Sequence, residues 1–431
     1  MSNIVLPKEL RYNDSLPQLP SGAQSLEQYL SPVNGNQFSC KTAGTIIQFD
    51  LPQRGFLVPS SMYIKYHYKV TDGTSNNSII RGCPVYACMQ KMETIFGSQT
   101  VESISNYNQV MHMYTNLTMD VAQKYGVQNA YGYLNNSATP SLESAGDCRT
   151  CGNNEDGSFA APIFNILSQA ENYVPLGMMP NVRVQITLDS IANIFNQAVS
   201  TQIPTEFLLT QVELCFTILD FGEQVMNICR NMGEKLYIKS QSFTASTNNI
   251  AANAVGTIEL VYSQRLASIK SLFLMSPCGA AVATSVNGIF DSYDITNGGS
   301  YQFSIAGKYY PPKPIDCGQN KTSAYMELKK AVGSLWSNNN SFSINSYEFN
   351  MVPATTTTSA APGKFIVGVN TELLPQSSNV LLTGTSTQNS PITVRLYIAT
   401  ASTVTLSPTL VCLYDALIEI IPSVKQASVK Q

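Results

Sequence analysis

Charged residues are scarce in this sequence: they make up 12% of the 431 residues, against roughly 25% in ordinary globular proteins. The formal net charge is −3, and the first 40 residues contain only two cations, Lys8 and Arg11. Affinity for nucleic acid rests largely on Lys and Arg that neutralise phosphates, so we predict no direct sequence-specific nucleic-acid binding. A surface of neutral polar residues repels copies of itself only weakly, which favours a protein that its neighbours cover.

Long apolar runs are missing as well. No basic region followed by an apolar run opens the sequence, and no apolar segment approaches the ~20 residues that cross a bilayer. We therefore predict a chain without a signal peptide or a transmembrane segment, made in the cytoplasm. The 10 cysteines are then expected to be reduced and mostly buried.

Histidine is nearly absent, since His67 and His112 are the only two in the sequence. His67 falls on the polar side of a predicted strand, whereas His112 falls in a predicted helix. A cupin-type metal site needs several histidines and a carboxylate on neighbouring strands, and Ser-His-Asp or Cys-His sites need a histidine beside the nucleophile. Two histidines in such different elements argue against both kinds of site. We predict no enzyme, no catalytic residue, no metal and no cofactor.

Cys148 and Cys151 form the only CxxC motif. A zinc site normally needs a second such pair, and Cys83 and Cys88 are five positions apart, so a composite site requires two loops to meet. A redox CxxC precedes a helix in a βαβ unit, whereas this motif falls in a predicted loop. Two incidental thiols are therefore favoured over zinc binding or redox chemistry.

Two further motifs carry less weight. Glu93 and Glu102 flank a predicted hairpin turn at Gly97 and are candidates to face each other across it. Paired carboxylates perform glycoside hydrolysis, but on a hairpin such residues more often face solvent. Gly152 and Gly157 do not form a phosphate-binding loop, because no GK[ST] motif follows them.

Aromatic residues supply the last candidate surface. Trp336 is the single tryptophan, and with Tyr309 and Tyr310 it is a candidate sugar-binding face, although packing beneath a loop is the default for such a residue. The 22 tyrosines bury area while keeping a polar tip, which suits contacts between subunits and half-buried strands alike.

The strongest positive signal is a pattern of segments that occurs twice, about 210 residues apart. Residues 182–188 and 392–398 both alternate apolar and polar side chains, which is typical of a strand with one buried face. Each half also ends in a long strand and places a helix after a hairpin turn. The paired strands are 211–219 and 409–421, and the paired helices are 106–125 and 323–332.

This repeat predicts an all-β chain of two tandem eight-stranded antiparallel β-sandwiches, with short helices inserted in loops. Prolines and glycines near the N-terminus work against long regular structure and predict an extended arm there. Residues 134–160 are predicted to be a loop, because Asn, Gly and Pro crowd together in them. The predicted parts are the arm at 1–40, a first sandwich at 41–222, a connector at 223–234, a second sandwich at 235–422 and a C-terminal tail at 423–431.

Several segments carry a further signal through their order along the chain: 173–177 before the strand 182–188, then 265–273, 301–305 and 309–314, and finally 382–388 before the strand 392–398. In this order the chain resembles the double jelly-roll major capsid proteins of icosahedral double-stranded DNA viruses. The type it is similar to occurs in polinton-like viruses, virophages and nucleocytoplasmic large DNA viruses. The resemblance spans about residues 40–422.

The resemblance implies a structural protein of the virion. It implies homotrimeric capsomers, each a pseudo-hexagonal tile of three pairs of jelly rolls, with minor capsid and penton proteins as further partners. Two alternatives stay open. One is a viral spike or lectin-like carbohydrate-binding protein, and the other is a hydrolase built on two jelly rolls.

Overall fold

The structure of the protein is a computed structural model. It describes residues 22–71, 78–133, 148–151, 154–195, 203–231, 233–277, 289–290, 292, 294–318, 321–335, 343–344, 349, 364–374, 382–402 and 405–431.

Twelve strands form the first half of the described chain. They are β1 (Gln24–Leu30), β2 (Gln37–Ser39), β3 (Ile46–Asp50), β4 (Phe56–Leu57), β5 (Tyr63–Thr71), β6 (Ser78–Arg81), β7 (Met89–Phe96), β8 (Gln99–Ser105), β9 (Cys148–Cys151), β10 (Asp156–Pro162), β11 (Val182–Leu188) and β12 (Glu206–Asp220).

Ten of these strands make one antiparallel sandwich, and β6 and β9 pair as a separate two-stranded sheet. Sheet 1a has the order β1-β12-β5-β10, and the short strands β2 and β4 also pair with β12. Sheet 1b has the order β3-β11-β7-β8. In β11 the apolar side chains are buried and the polar ones half-exposed, so the predicted period of two directs one face of the sheet to the core.

Nine strands form the second half of the described chain. They are β13 (Leu236–Thr247), β14 (Gly256–Tyr262), β15 (Ile269–Met275), β16 (Ser300–Ile305), β17 (Lys308–Asp316), β18 (Ile366–Asn370), β19 (Ile392–Ile398), β20 (Thr409–Ile421) and β21 (Gln426–Lys430).

The second half repeats the topology of the first. Sheet 2a has the order β13-β20-β15-β18, with β21 added to β20, and sheet 2b has the order β14-β19-β16-β17. Position by position these orders match sheets 1a and 1b. The prediction of two eight-stranded antiparallel sandwiches, a double jelly roll, is therefore confirmed.

Seven α-helices lie in the loops of the described chain. They are α1 (Pro84–Ala87), α2 (Tyr107–Thr118), α3 (Val121–Gly126), α4 (Gln128–Tyr131), α5 (Ile191–Ile194), α6 (Gly222–Asn231) and α7 (Thr322–Val332). In each half a helix follows the fourth strand of its b sheet, α2 after β8 and α7 after β17, as predicted. The connecting helix α6 lies between the sandwiches along the chain.

The helix predicted over 106–125 is divided. Asp120 and Gln123 form a reciprocal capping box, in which each side chain accepts a hydrogen bond from the other residue's backbone N–H, at 2.6 and 2.9 Å. This box begins α3, so α2 ends at Thr118.

Five strands lie wholly or partly in segments predicted to lack regular pairing: β1 and β2 in the arm, β9 and β10 in the loop 134–160, and β21 in the tail. Residues 24–30 of the predicted arm form β1, the edge of sheet 1a, paired with β12 from Asp220 to Leu214. Asp156–Pro162, assigned in part to the predicted loop 134–160, form β10 against β5. Gln426–Lys430 of the predicted tail form β21. β1 and β10 owe their structure to partners distant in sequence, which local composition does not reveal, whereas β21 forms a hairpin with the preceding strand β20.

The two sandwiches share one continuous hydrophobic core. In the first, Tyr66, Tyr68, Phe159 and Phe207 are almost completely buried, and the rings of Tyr68 and Phe159 stack at 4.4 Å. The core continues into the second sandwich through the surface where the two meet.

Candidate functional site

The two sandwiches meet along a surface that we call the joint. It is formed by β8, α2 and residues 163–171 of the first sandwich, and by β13 and the C-terminal residue Gln431 of the second. The polar centre of the joint is Glu102 on β8, which is only 2% exposed.

Donors from both sandwiches bind the Glu102 carboxylate. The Thr94 hydroxyl donates at 2.7 Å and the Ile166 backbone N–H at 2.8 Å, both from the first sandwich. The Ser242 hydroxyl donates from β13 of the second sandwich. Ser240, two residues earlier on β13, donates to the Ile166 carbonyl at 2.5 Å. One buried carboxylate thus connects strands that are 140 positions apart.

Burial raises the pKa of Glu102 above its ordinary value of 4.5, and the three hydrogen bonds oppose this effect only in part. No cation contacts this carboxylate among the hydrogen bonds and ion pairs of the described residues. Tyr107 and Tyr414 are the titratable neighbours, and burial raises the pKa of both. The arrangement indicates a structural role for Glu102, whose carboxyl group holds the two sandwiches together through hydrogen bonds.

An aromatic cluster flanks this polar centre. Phe243 of β13 lies 4.6 Å from Phe164 and 5.7 Å from Tyr114, measured between ring centroids. Tyr114 belongs to α2, and its ring is 5.2 Å from that of Phe164. Offset and edge-on rings at these distances contribute about 0.5–1.5 kcal/mol per pair beyond the area they bury.

Polar contacts close the rim of the joint. Asn106 donates to the Thr247 hydroxyl at 3.1 Å. The Lys239 ammonium lies 3.6 Å from the Glu171 carboxylate, and the Glu171 N–H donates to the Lys239 carbonyl. Gln431 donates to the Val101 carbonyl. A polar cleft of about 340 Å³, lined by Thr100 and Glu102 among others, remains beside these contacts.

The predicted placement of Glu93 and Glu102 is wrong. Across the hairpin Glu102 is opposite Thr94, while Glu93 is opposite Ser103. Glu93 pairs with Lys91 at 2.7 Å on the half-exposed side of β7. Glu102 is buried rather than facing solvent, because the second sandwich covers β8, and the two residues do not form a carboxylate pair.

The cysteines that the structure describes pack as core residues or lie in strands. Cys148–Cys151 form β9 against β6 instead of the predicted loop. Cys83 lies 3.1 Å from the Tyr133 hydroxyl and Cys88 lies 3.6 Å from that of Tyr66, so both thiols are packed in the core. Burial raises the pKa of Cys88 to about 12. Within the described ranges no group of three or more His, Cys, Asp or Glu side chains is placed to hold a metal ion.

The two histidines lie in separate places, as predicted. His67, on the outer face of sheet 1a, lines a groove of about 690 Å³ with Lys65 and Glu213. His112 is buried in α2, where its Nε2 lies 3.0 Å from the Asn116 amide and its ring contacts Phe290.

The candidate sugar-binding face is only partly described. Trp336 lies outside the described residues. Tyr309 is exposed on β17, and Tyr310 is half-buried with the Lys308 ammonium 5.2 Å from its ring. The sugar-binding face therefore stays a prediction.

Large apolar side chains are exposed at the edges of the sandwiches, a feature that sequence patterns had not located. Tyr29 on β1 is 55% exposed, Tyr309 on β17 is 49% exposed, and Met326 on α7 is 47% exposed. Val33 follows β1 in the sequence and Leu335 follows α7, and both side chains are exposed. Exposed apolar residues of this kind mark contact surfaces when they lie together. None of the helices in the described ranges is long and apolar enough to span a membrane.

Solved structures with a similar fold are viral capsid proteins. The PBCV-1 virus capsid matches with a TM-score of 0.65 at 12% identity, over 97% of this chain and 99% of that chain. The Faustovirus major capsid protein matches with a TM-score of 0.61 at 9% identity, over 97% and 93%. The mavirus major capsid protein matches with a TM-score of 0.51 at 9% identity, over 100% and 96%. At such identities the likeness shows the fold.

No model of a protein family matches the sequence. No curated protein matches it either.

Proposed function

We propose that this chain is a major capsid protein that forms the icosahedral shell of a double-stranded DNA virus. The observation that carries the proposal is the double jelly roll, matched over nearly the whole chain to the major capsid proteins of Faustovirus and mavirus. The function follows from surfaces rather than chemistry, since the polar centre of the joint is buried between two domains and binds them together.

The proposed assembly unit is a homotrimer. Two sandwiches of the same topology lie side by side in each chain, so three chains supply six similar blocks. A closed ring of six blocks has the outline of a hexagon, which tiles a surface without gaps. Minor capsid and penton proteins are the further partners of this proposal. The site of action is the virion, and synthesis occurs in the host cytoplasm.

Light scattering after gel filtration tests the trimer directly. The proposal predicts a stable species of about three times the 46.9 kDa chain mass. Electron microscopy of that species should then show hexagonal outlines. A monomer at high protein concentration contradicts the proposal, and it moves the lectin-like and hydrolase alternatives forward. Binding to a glycan array or release of glycans from a test glycoprotein would then decide between those two.

A further inference from the structure

We propose that Lys124 and Asn116 form an isopeptide bond, a covalent crosslink that joins helix α3 to the C-terminal end of α2. The bond connects Nζ of Lys124 to Cγ of Asn116 and releases ammonia. Both residues are buried, since only 3% of Lys124 and 1% of Asn116 are exposed. This self-modification of the chain is independent of the proposed function.

The amine and the amide that react are in direct contact. Lys124 Nζ donates a hydrogen bond to Oδ1 of Asn116. Because an ammonium group only donates, this contact identifies the oxygen side of the amide. Nζ therefore lies beside the carbonyl group whose carbon it attacks. Two helices hold the pair, with only Met119 and Asp120 between them. Reactants held together in this way react at an effective concentration far above that of free molecules.

A second donor lies at the carbonyl oxygen of the Asn116 amide. The Ser343 hydroxyl is 3.0 Å from Oδ1. The Ser343 backbone N–H donates to the backbone carbonyl of Asn116 at 3.1 Å, and the Tyr325 hydroxyl of α7 donates to the adjacent Ile344 carbonyl at 3.0 Å. When Nζ attacks Cγ, negative charge develops on Oδ1. A donor fixed beside this oxygen stabilises that charge.

His112 lies at the nitrogen that leaves. It is one turn earlier on α2, and its Nε2 is 3.0 Å from Nδ2 of Asn116. An amide nitrogen donates, so Nε2 accepts and carries no proton itself. The imidazole is held in place by burial and by the Phe290 ring, 5.6 Å away between centroids. Nε2 is therefore placed to accept a proton from Nζ and to deliver it to Nδ2, which is general base and acid catalysis.

The reaction balances without another reactant. The Nζ–Cγ bond forms while the carbonyl electron pair moves to Oδ1, and the Cγ–Nδ2 bond breaks when that pair returns. The Lys124 ammonium loses two protons, and both depart with Nδ2 as an ammonium ion. The product is a neutral amide, so a buried cation is replaced by a group that is less costly to keep away from water.

Lys321 is the other buried lysine of the described residues, and its surroundings differ. Its Nζ lies 3.0 Å from Oδ2 of Asp294. The Asp294 carboxylate also accepts hydrogen bonds from Thr296 and Gly298, which favour its charged form. An anion of this kind resists attack by an amine and has no amide nitrogen to release. The two buried lysines therefore provide an internal comparison.

Mass spectrometry of the denatured full-length chain tests the crosslink. The intact mass should be lower, by one ammonia, than the mass of the sequence. Cyanogen bromide then locates the bond, because it cleaves after methionine and Met119 lies between the two reacting residues. In a crosslinked chain the fragments 114–119 and 120–178 stay joined after cleavage, whereas in an unmodified chain they separate.

Lys124→Arg is the matched control. Arginine keeps the positive charge and the donors, but its guanidinium is always protonated and does not attack the amide. The two fragments should then separate. His112→Gln keeps a buried polar side chain without a proton-transfer group. In freshly refolded protein we expect this variant to form the crosslink at least about 100-fold more slowly than the wild type. Circular dichroism verifies the fold of each variant.

Joined fragments in the wild type and separate fragments in Lys124→Arg support the inference. Wild-type fragments that separate after prolonged incubation of the folded protein overturn it, whether or not the variants fold. A loss of ammonia that maps to Asn34 or Asn297, each followed by glycine, is a succinimide and also overturns it. So does a loss of water that joins Lys321 to Asp294. Each of these results leaves the proposed function standing, because the trimer mass tests that separately.

Discussion

At the scale of single residues, the burial of Glu102 contrasts with the solvent exposure that its position on a hairpin predicts. It lies on an amphipathic hairpin strand, yet its carboxylate is buried and accepts hydrogen bonds from Thr94, Ile166 and Ser242. Burial raises its pKa in the folded protein above the unfolded value of 4.5. The folded state therefore holds a proton more tightly than the unfolded state does.

This raised pKa predicts the direction of a pH dependence. The contribution of Glu102 to stability is fully present below the unfolded pKa and is lost as the pH rises through the folded pKa. Glu102→Gln keeps a neutral side chain that still accepts hydrogen bonds. We expect its free energy of unfolding to equal or exceed that of the wild type at neutral pH, by about 1 kcal/mol, and the difference to shrink as the pH falls towards 4.5.

Thermal melts between pH 4.5 and 8 measure this difference. Glu102→Ala leaves three donors without an acceptor and should cost about 1–3 kcal/mol for each donor that stays dry. Glu93→Gln is the control, since Glu93 belongs to the same hairpin but pairs with Lys91 at its half-exposed side. A Glu102→Gln variant that loses stability as the pH rises, relative to the wild type, contradicts the assignment.

At the scale of secondary-structure elements, β1 shows that the N-terminal region is not an extended arm throughout. The strand pairs with β12 along its whole length, so part of the predicted arm belongs to the first sandwich. The strand therefore fixes this part of the N-terminal region to sheet 1a.

Two truncations separate the contribution of β1 from that of the residues before it. Deleting residues 1–21 retains all of β1, so we expect an unchanged melting temperature and trimer mass, with weaker formation of shells. Deleting residues 1–30 removes β1 and uncovers one edge of β12, so we expect a melting temperature lower by several degrees. Calorimetry, light scattering and electron microscopy provide the three readouts. If both truncations melt at the same temperature, β1 does not stabilise the first sandwich.

At the scale of the whole molecule, the joint connects the interiors of the two sandwiches into one hydrophobic core. Phe243 belongs to the second sandwich by sequence but packs against Phe164 and Tyr114 of the first. The hydrophobic core accordingly continues from one half to the other. Such coupling favours unfolding in a single cooperative transition.

Phe243→Ala tests this coupling. Removal of a buried aromatic side chain should lower the free energy of unfolding by about 3–5 kcal/mol, because the cavity lies where both sandwiches meet. Scanning calorimetry should show one transition in the wild type and a lower midpoint in the variant. Tyr237→Ala is the control on the same strand, since Tyr237 is about half exposed and its loss should change the midpoint by less than about 2 °C. Equal effects of the two substitutions would show that the joint does not couple the sandwiches.

The sequence by itself determined the elements whose signal is local. Alternation of apolar and polar residues located β11 and β19, and the order of such segments showed that one sandwich topology occurs twice. The hairpin turn at Gly97 and the helices that follow β8 and β17 were also predictable, since turns and helices depend on residues close together in the chain.

Only the tertiary structure decided the features that depend on distant partners. β1 becomes a strand because β12, at the far end of the first sandwich, offers it an unpaired edge. Glu102 is buried because Ser242, 140 positions away, lies against it. No local pattern records such proximity, since the free energy that orders these residues comes from contacts formed when the two sandwiches come together.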